Sequence, residues 1–560
     1  KMKVLITGSK GQLGIALNKL LSKRKDIEIV NTDIDDMDIT NIEDVRKVLN
    51  KYNPNYVINC AAYTKVDECE THQDLAFKVN ADGVKNIAVV TKEIDATLIH
   101  VSTDYVFDGT KKEAYNEDDK TNPQSVYGKS KKAGEDNVIS TLDKYFIVRT
   151  AWLYGIGRNF VNKMLELSEK NNSINVVCDQ VGSPTSATEV AKVIELLLSS
   201  NKYGIYHATC EGHCAWSDFA EEIFKLCKNA TKVTKVKTTE YPSSVNRPAN
   251  SVLQNKKLLD NFNYKMEDWK VAIRKYLLEE NKMKRKVLVT GANGYVGRHV
   301  VKALLDKGCE VIASDFKFDG VDERAQRNTT PIFSDEENLY EKLGSPDVVV
   351  HLAWRNGFVH NADTHITDLP NHYNFIKKMV DAKLPQLVVM GTMHEVGYWE
   401  GAINGDTPTN PTSMYGIAKN TLREAAYLLT KGSKTQLQWL RAYYIMGDDL
   451  KNNSIFSKLV AAAKEGKETF PLNSGKNQYD FIQIEELAHQ ISAVAMQNEV
   501  DGTINVCTGK PMPLGEKVEQ FIKDNHFNIK PQYGVFPDRP YDSKAVWGED
   551  KKIRKILAAK

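Results

Sequence analysis

Lys3-Val4-Leu5-Ile6-Thr7-Gly8-Ser9-Lys10-Gly11-Gln12-Leu13-Gly14 decides the fold, because its pattern returns as Lys286-Val287-Leu288-Val289-Thr290-Gly291-Ala292-Asn293-Gly294-Tyr295-Val296-Gly297. In each copy an apolar run of strand length breaks into Gly-x-x-Gly-x-x-Gly, and a stretch of helical period follows. The spacing serves a physical need: the backbone must turn sharply, approach a pyrophosphate closely and aim helix N-terminal N–H groups at it. A single copy could be a plain strand-to-helix turn. Two copies in matching context read as two dinucleotide loops, built from Gly8, Gly11, Gln12, Leu13 and Gly14 and from Gly291, Gly294, Tyr295, Val296 and Gly297.

Working outward, the repeat continues. Asn122-Pro123-Gln124-Ser125-Val126-Tyr127-Gly128 with Lys131 recurs as Asn410-Pro411-Thr412-Ser413-Met414-Tyr415-Gly416 with Lys419. Arg149 ahead of Gly155 recurs as Arg441 ahead of Gly447, and Arg247-Pro248 as Arg539-Pro540. A period this long means duplicated domains and not a solenoid, and 560 residues suffice for two separate cores. The polar Glu279-Glu280-Asn281-Lys282 precedes Met283, which sets the expected domains at 1–282 and 283–560. In each, apolar runs such as Tyr56-Val57-Ile58-Asn59 alternate with amphipathic helical stretches, the βαβ pattern. It weakens after about residue 155 and again after about residue 447. The expected fold is α/β: two tandem Rossmann-type, doubly wound parallel sheets, each with a smaller C-terminal substrate lobe over the sheet's carboxyl edge, where ligands bind.

Composition narrows the partners. Seventy-five Lys and Arg against 73 Asp and Glu leave a net charge of +2, no footprint for nucleic acid or an anionic membrane. The sequence enters a strand pattern without a charged-then-apolar leader, and no apolar run is long enough to cross a bilayer, so a soluble cytoplasmic protein is expected. Its eight cysteines are then reduced thiols, with Cys60 and Cys507 in apolar runs as core residues. His207, Cys210, His213 and Cys214 have ligand chemistry but no usual zinc spacing, so no metal is expected.

After the second strand of each half stands an acid, Asp33 and Asp315, at the distance suited to adenosine-ribose hydroxyls. An acid there favours NAD, while Lys317 and Arg298 keep NADP open in the second half. Tyr127 and Lys131, and Tyr415 and Lys419, lie four residues apart in helical segments, so each pair shares a face. A tyrosine titrating near 10 needs a nearby cation to exchange protons near neutrality, and the lysine supplies one. Ser102-Thr103-Asp104-Tyr105 follows an apolar run, and Thr103 is the candidate to fix the reacting oxygen.

These residues together resemble the extended short-chain dehydrogenase/reductases, once per half. The first half resembles their dTDP-4-dehydrorhamnose reductase branch through Gly8 to Gly14, Asp38-Ile39-Thr40, Ala61-Ala62-Tyr63-Thr64-Lys65-Val66-Asp67, Ser102 to Gly109 and Arg149 to Gly155. That resemblance implies reduction of the C4 ketone of dTDP-4-dehydro-β-L-rhamnose to dTDP-L-rhamnose by NADPH or NADH. It implies that Tyr127 protonates the sugar oxygen, that Asp38, Ile39, Ala61, Ala62 and Tyr63 lie along the cofactor, and that Tyr105, Trp152 and Arg247 meet the sugar nucleotide. The second half resembles the NAD-dependent epimerase/dehydratase branch. The resemblance implies NADPH or NADH along Leu352 and Ala353, and an unidentified nucleotide sugar as substrate. It departs at Gly391-Thr392-Met393-His394-Glu395, where Thr392 stands one residue nearer its tyrosine than Thr103 does, and at Trp354, where relatives carry a small residue. Thr392 is the candidate third group. His394-Glu395 replaces the Asp-Glu pair of sugar dehydratases, which points to a ketosugar reductase or 4-epimerase. The alternative for this half, or for both, is a non-catalytic dinucleotide-binding regulatory or scaffold module. A homodimer is open to the assembly.

Overall fold

The structure, a computed structural model, describes residues 1–241, 243–449, 452 and 454–559. By its internal contacts the chain divides into two units, Lys1–Met283 and Lys284–Lys560.

The first unit is built on six parallel strands: β1 (Met2–Thr7), β2 (Ile27–Asn31), β3 (Tyr56–Asn59), β4 (Thr97–Thr103), β5 (Tyr145–Thr150) and β6 (Gly204–His207). Their order is β6-β5-β4-β3-β1-β2, so the chain reverses direction across the sheet between β1 and β3. A ligand crevice forms at such a reversal, beyond the strands' carboxyl ends. Val4, Leu5 and Ile6 are all fully buried, as a strand covered on both faces requires. On one face α1 (Gln12–Leu21) presents Leu13, Leu17 and Leu21 to Val190, Val193 and Ile194 of a later helix, Ala187–Leu197. On the other face Leu5 and Val57 pack with Val45, Leu49, Val84 and Ile87.

The second unit repeats the plan with seven parallel strands: β7 (Lys286–Thr290), β8 (Glu310–Ser314), β9 (Gln326–Asn328), β10 (Val348–His351), β11 (Gln386–Thr392), β12 (Gln436–Ala442) and β13 (Gly502–Val506). The order is β9-β8-β7-β10-β11-β12-β13, with the same reversal beside the glycine loop.

Each unit has its own lobe. In the first, Tyr154, Phe219, Ile223, Ile273 and Leu277 form a separate core beneath the paired strands Ser173–Val177 and Lys232–Val236. In the second, Met446, Phe456, Leu459, Phe481 and Val518 do so beside a small sheet centred on Gln478–Gln483. The expectation that the residues after 155 and 447 all leave the main sheet needs correction. Ala187–Leu197 with β6, and Ile484–Ala495 with β13, return to it and complete its core. These strands span only four and five residues, too short for an apolar period to show in the sequence.

Candidate active sites

The glycine loops form as the spacing predicts. Gly8 and Gly291 sit at φ +60° and +63°, where a Cβ would lie 2.8 Å from the amide of Ala61 and 2.9 Å from that of Ala353. Thr7 and Thr290 end the first strand of each unit, and their hydroxyl oxygens accept the amides of Cys60 and Ala61 and of Leu352 and Ala353. Asp33 accepts the Lys10 amide at 3.0 Å and Asp315 the Asn293 amide at 2.9 Å, so each acid ties the loop to the end of the second strand.

In the first unit a cleft of about 860 Å³ runs from this loop to the tyrosine. It is lined by Gly8, Gly11, Gln12, Leu13, Gly14, Asp33, Asp38, Ile39, Ala61 and Ala62 at one end, and by Thr103, Tyr105, Tyr127, Lys131 and Trp152 at the other. Two expected residues do not line it. Tyr63 turns its hydroxyl to Glu68 at 2.8 Å, and Arg247 bonds Asp67 at 3.2 Å. Arg158, unremarked in the sequence, does line it and sets a cation there; the signal available was its place in Gly155-Ile156-Gly157-Arg158, directly after the Trp152 segment. Gln12 also has a second task, since its Oε1 accepts the Gly155 amide at 2.8 Å and couples the loop to the lobe. Tyr295 does the same in the second unit through Gly447, donating at 2.5 Å. Arg298 is committed to its own loop, donating to the carbonyls of Asn293 and Gly294.

The tyrosines are placed by helix caps. Ser125 accepts the Gly128 amide at 3.0 Å and Ser413 the Gly416 amide at 3.1 Å, starting the helices α2 (Val126–Thr141) and α3 (Met414–Thr430) just before each tyrosine. Gly128 and Gly416 let these helices press on the turns after β4 and β11, because a Cβ at either would come within 2.3 Å of a carbonyl oxygen, of Tyr105 or of His394. Tyr127 is thereby set beside Thr103, and Tyr415 beside Thr392, near enough for each threonine to draw its phenol's pKa down. Thr392 occupies the same station as Thr103 despite its shifted spacing. Each ends its strand in extended backbone and accepts an amide two residues on at 3.2 Å.

Lys131 donates to the Val101 carbonyl at 2.8 Å and Lys419 to that of Met390 at 2.6 Å. Burial pushes their ammonium groups down, to about 8 and about 7. Both tyrosines are pushed up by burial and drawn back by their threonines. Each ammonium gives one of its three N–H donors to a strand carbonyl, which leaves two for the site.

The sites differ behind the threonine. In the first unit Ser102 and Arg149 both bond Glu135, one helical turn after Lys131. In the second that helix position is Arg423, and the buried carboxylate comes instead from Glu395, held by Arg441 at 3.0 Å, Trp439 at 3.0 Å and the Thr392 amide at 2.9 Å. Gly391 replaces Ser102 and makes the room, since a Cβ there would stand 2.4 Å from Glu395 Oε2. The second site is also ringed with aromatic nitrogen. His360 stacks on Tyr415, His394 lies beside both, and Trp354 donates to His365 at 2.9 Å.

Among the described residues no group of three metal-ligating side chains is placed to hold an ion, and no helix is long and apolar enough to cross a membrane. His207 lies in β6, while Cys210 and Cys214 are core of the lobe.

The RmlD substrate binding domain family matches residues 2–282, and the NAD dependent epimerase/dehydratase family matches residues 287–507. The chain belongs to the first of these families, and its second half carries an epimerase/dehydratase-family domain. Its RmlD half matches dTDP-4-dehydrorhamnose reductase and related sugar reductases. A dTDP-4-dehydrorhamnose reductase of Aggregatibacter actinomycetemcomitans is 39% identical over 285 residues, which are 49% of this chain and 97% of that protein. A dTDP-6-deoxy-L-talose 4-dehydrogenase (NAD(+)) of the same organism is 44% identical over 269 residues, 47% of this chain and 98% of that protein. A solved dTDP-4-dehydrorhamnose reductase of Bacillus anthracis in complex with NADP is 40% identical, covers 50% of this chain and 99% of its own, and superposes with a TM-score of 0.49. The epimerase/dehydratase half adds a second loop of the same build. A nicotinamide dinucleotide, NADPH or NADH, fits both: the loop glycines leave space that a Cβ would fill, and the acids stand where ribose hydroxyls arrive.

Proposed function

We propose that the chain joins two nucleotide-sugar oxidoreductases, the first of which reduces the C4 ketone of dTDP-4-dehydro-β-L-rhamnose to dTDP-L-rhamnose. The observation that carries this is the single cleft in which the dinucleotide loop, Thr103, Tyr127, Lys131, Tyr105 and Trp152 meet. A nicotinamide dinucleotide held at Gly8, Gly11, Gly14 and Asp33 would supply the hydride that sugar C4 accepts. Tyr127 gives its hydroxyl proton to the C4 oxygen, Thr103 bonds the phenol oxygen left behind, and Lys131, charged, holds the nicotinamide ribose and stabilises the phenolate. Burial keeps Tyr127 protonated until that moment.

For the second unit we propose C4 ketosugar reduction through Thr392, Tyr415 and Lys419. The place of Glu395 supports this over dehydration. A dehydratase needs a free acid or base beside the threonine, and this carboxylate is fully buried against Arg441 and Trp439.

The test is to incubate the chain and its Tyr127→Phe and Tyr415→Phe variants with dTDP-4-dehydro-6-deoxy sugars and NADH or NADPH, and to identify the sugar products. Formation of dTDP-L-rhamnose should be lost in Tyr127→Phe alone, and its survival there would sink the first assignment. A second alcohol product should be lost in Tyr415→Phe alone. Ketosugar binding without turnover by Tyr127→Phe would instead favour a scaffold role for the second unit.

A further inference from the structure

Trp152 stands in a costly conformation. Its φ is +49°, the left-handed region that a bulky L-residue adopts only when its surroundings impose it. The imposing contact is visible on one face of its indole, where the ring of Trp216 lies 3.5 Å away, centroid to centroid, and 7° from parallel. Trp216 is in turn wedged by Phe160 at 4.6 Å and begins the lobe helix Trp216–Leu226, whose Phe219, Ala220 and Ile223 are core. A second contact comes from Gly182, where a Cβ would lie 2.4 Å from Trp152 Cε2 and 2.6 Å from Nε1. Backbone therefore approaches the indole at a position where no side chain would fit.

Trp152 lines the cleft beside Tyr105, Tyr127 and Thr103, and so meets whatever part of the substrate carries the reacting carbon. Trp216 does not line it. We infer that Trp216 is a positioning residue for the sugar pocket of the first unit: its stacked ring, with Gly182, holds the Trp152 indole as a fixed wall against the deoxysugar. This rests on the sugar reduction proposed above. The logic is preorganisation. A large aromatic left free to swing would have to be ordered at each binding event, and the stack has already met that cost in the fold. The wall stands beside Tyr127 and Thr103, where the reacting sugar carbon arrives, so the contribution should appear in the affinity for the sugar and not in that for the nucleotide.

The full chain and its Trp216→Ala, Trp216→Phe and Gly182→Ala variants would be titrated with dTDP-L-rhamnose and, separately, with dTDP. The unaltered chain must bind dTDP-L-rhamnose more tightly than dTDP; equal binding overturns the sugar assignment itself, whatever the variants do. Given that preference, Trp216→Ala should weaken dTDP-L-rhamnose roughly tenfold, the scale of one aromatic contact, and leave dTDP unchanged. Trp216→Phe should restore part of the loss. Gly182→Ala, which displaces the same indole with Trp216 intact, should reproduce it and stands in if Trp216→Ala does not fold. Unchanged sugar affinity in folded Trp216→Ala or Gly182→Ala overturns the inference, as does equal weakening of both ligands. The stack has its own signature, an exciton couplet in far-ultraviolet circular dichroism, which should vanish in Trp216→Phe; persistence there would show that the rings do not couple.

Discussion

The Lys419 ammonium lies 4.0 Å from the centre of the Trp354 ring, whereas the corresponding residue of the first unit is Ala62 and the main partner of Lys131 is the Val101 carbonyl. The two lysines accordingly differ in their surroundings, and burial lowers Lys419 to about 7 against about 8 for Lys131. A lysine that must be charged to hold the ribose stops working as pH rises through its own value. The kcat/KM of the second unit, measured in Tyr127→Phe, should therefore fall with a limb near pH 7, and that of the first, measured in Tyr415→Phe, with a limb near pH 8. Coincident limbs would refute the difference.

Replacing Trp354 by Ala tests which effect of the indole wins. The ring attracts the ammonium by about 0.5–2 kcal/mol, which favours charge, but it also excludes water, which opposes charge. Burial is the largest cause acting on Lys419. Trp354→Ala should thus move the limb of the second unit to higher pH. A downward move would mean that the cation–π contact dominates.

Thr392→Val and Thr103→Val should cost alike, about 10²–10³ in kcat, if both hydroxyls stabilise the phenolate oxygen. Steady-state rates on each unit's own ketosugar decide it. A near-normal Thr392→Val would move the third catalytic role elsewhere, with His365, His360 and His394, whose rings surround Tyr415, the candidates.

Much of this was legible because it rests on local periodicity. The glycine loops, the acids after the second strands and the Tyr-x-x-x-Lys pairs each declare themselves within a few residues. Thr392 ends its strand as Thr103 does despite its shifted spacing, because the extra residue of the first unit falls between the turn and the helix cap. What could not be read depends on contacts far apart in sequence. In the sequence Glu395 stood only in the His394-Glu395 that replaces a dehydratase's Asp-Glu pair, and only folding brings it to Arg441, 46 residues on. The Trp216 stack on Trp152 joins two lobe segments, and Tyr63 turns away to Glu68 although its neighbours Ala61 and Ala62 line the cleft. No pattern in the chain encodes such pairings.

The buried ion pair makes a stability prediction. Glu395→Gln leaves Arg441 charged and fully buried without its carboxylate, at a cost of about 3–5 kcal/mol. Gly391→Ser should also destabilise, because its Cβ would crowd Glu395 and Trp439. In denaturant unfolding one transition should move in both variants and the other stay.

The last prediction concerns acid. The Thr290 oxygen accepts the amides of Leu352 and Ala353, so its hydrogen goes to His351 Nδ1 at 2.7 Å, and His351 Nε2–H then donates to His372 Nδ1 at 2.8 Å. Both rings must be neutral to keep this chain, because a proton added to either accepting nitrogen sets N–H against a donor. Burial and the nearby Lys419 charge push both rings down, His372 to about 3, with only Asp368 pulling His372 upward. An unfolded histidine takes up a proton near 6.5, and the folded one does not, so protons favour the unfolded state below that value. For His372 alone the stability lost between pH 7 and pH 5 is about 2 kcal/mol. The Glu395 carboxyl, raised by burial, works in the opposite sense as pH falls, but it does so with or without His372. His372→Phe keeps an aromatic ring against Trp354 and removes the titration, so the difference in unfolding free energy between pH 7 and pH 5 should shrink by about 2 kcal/mol. If the variant and the parent lose the same stability over that interval, the imidazole pair is not held neutral.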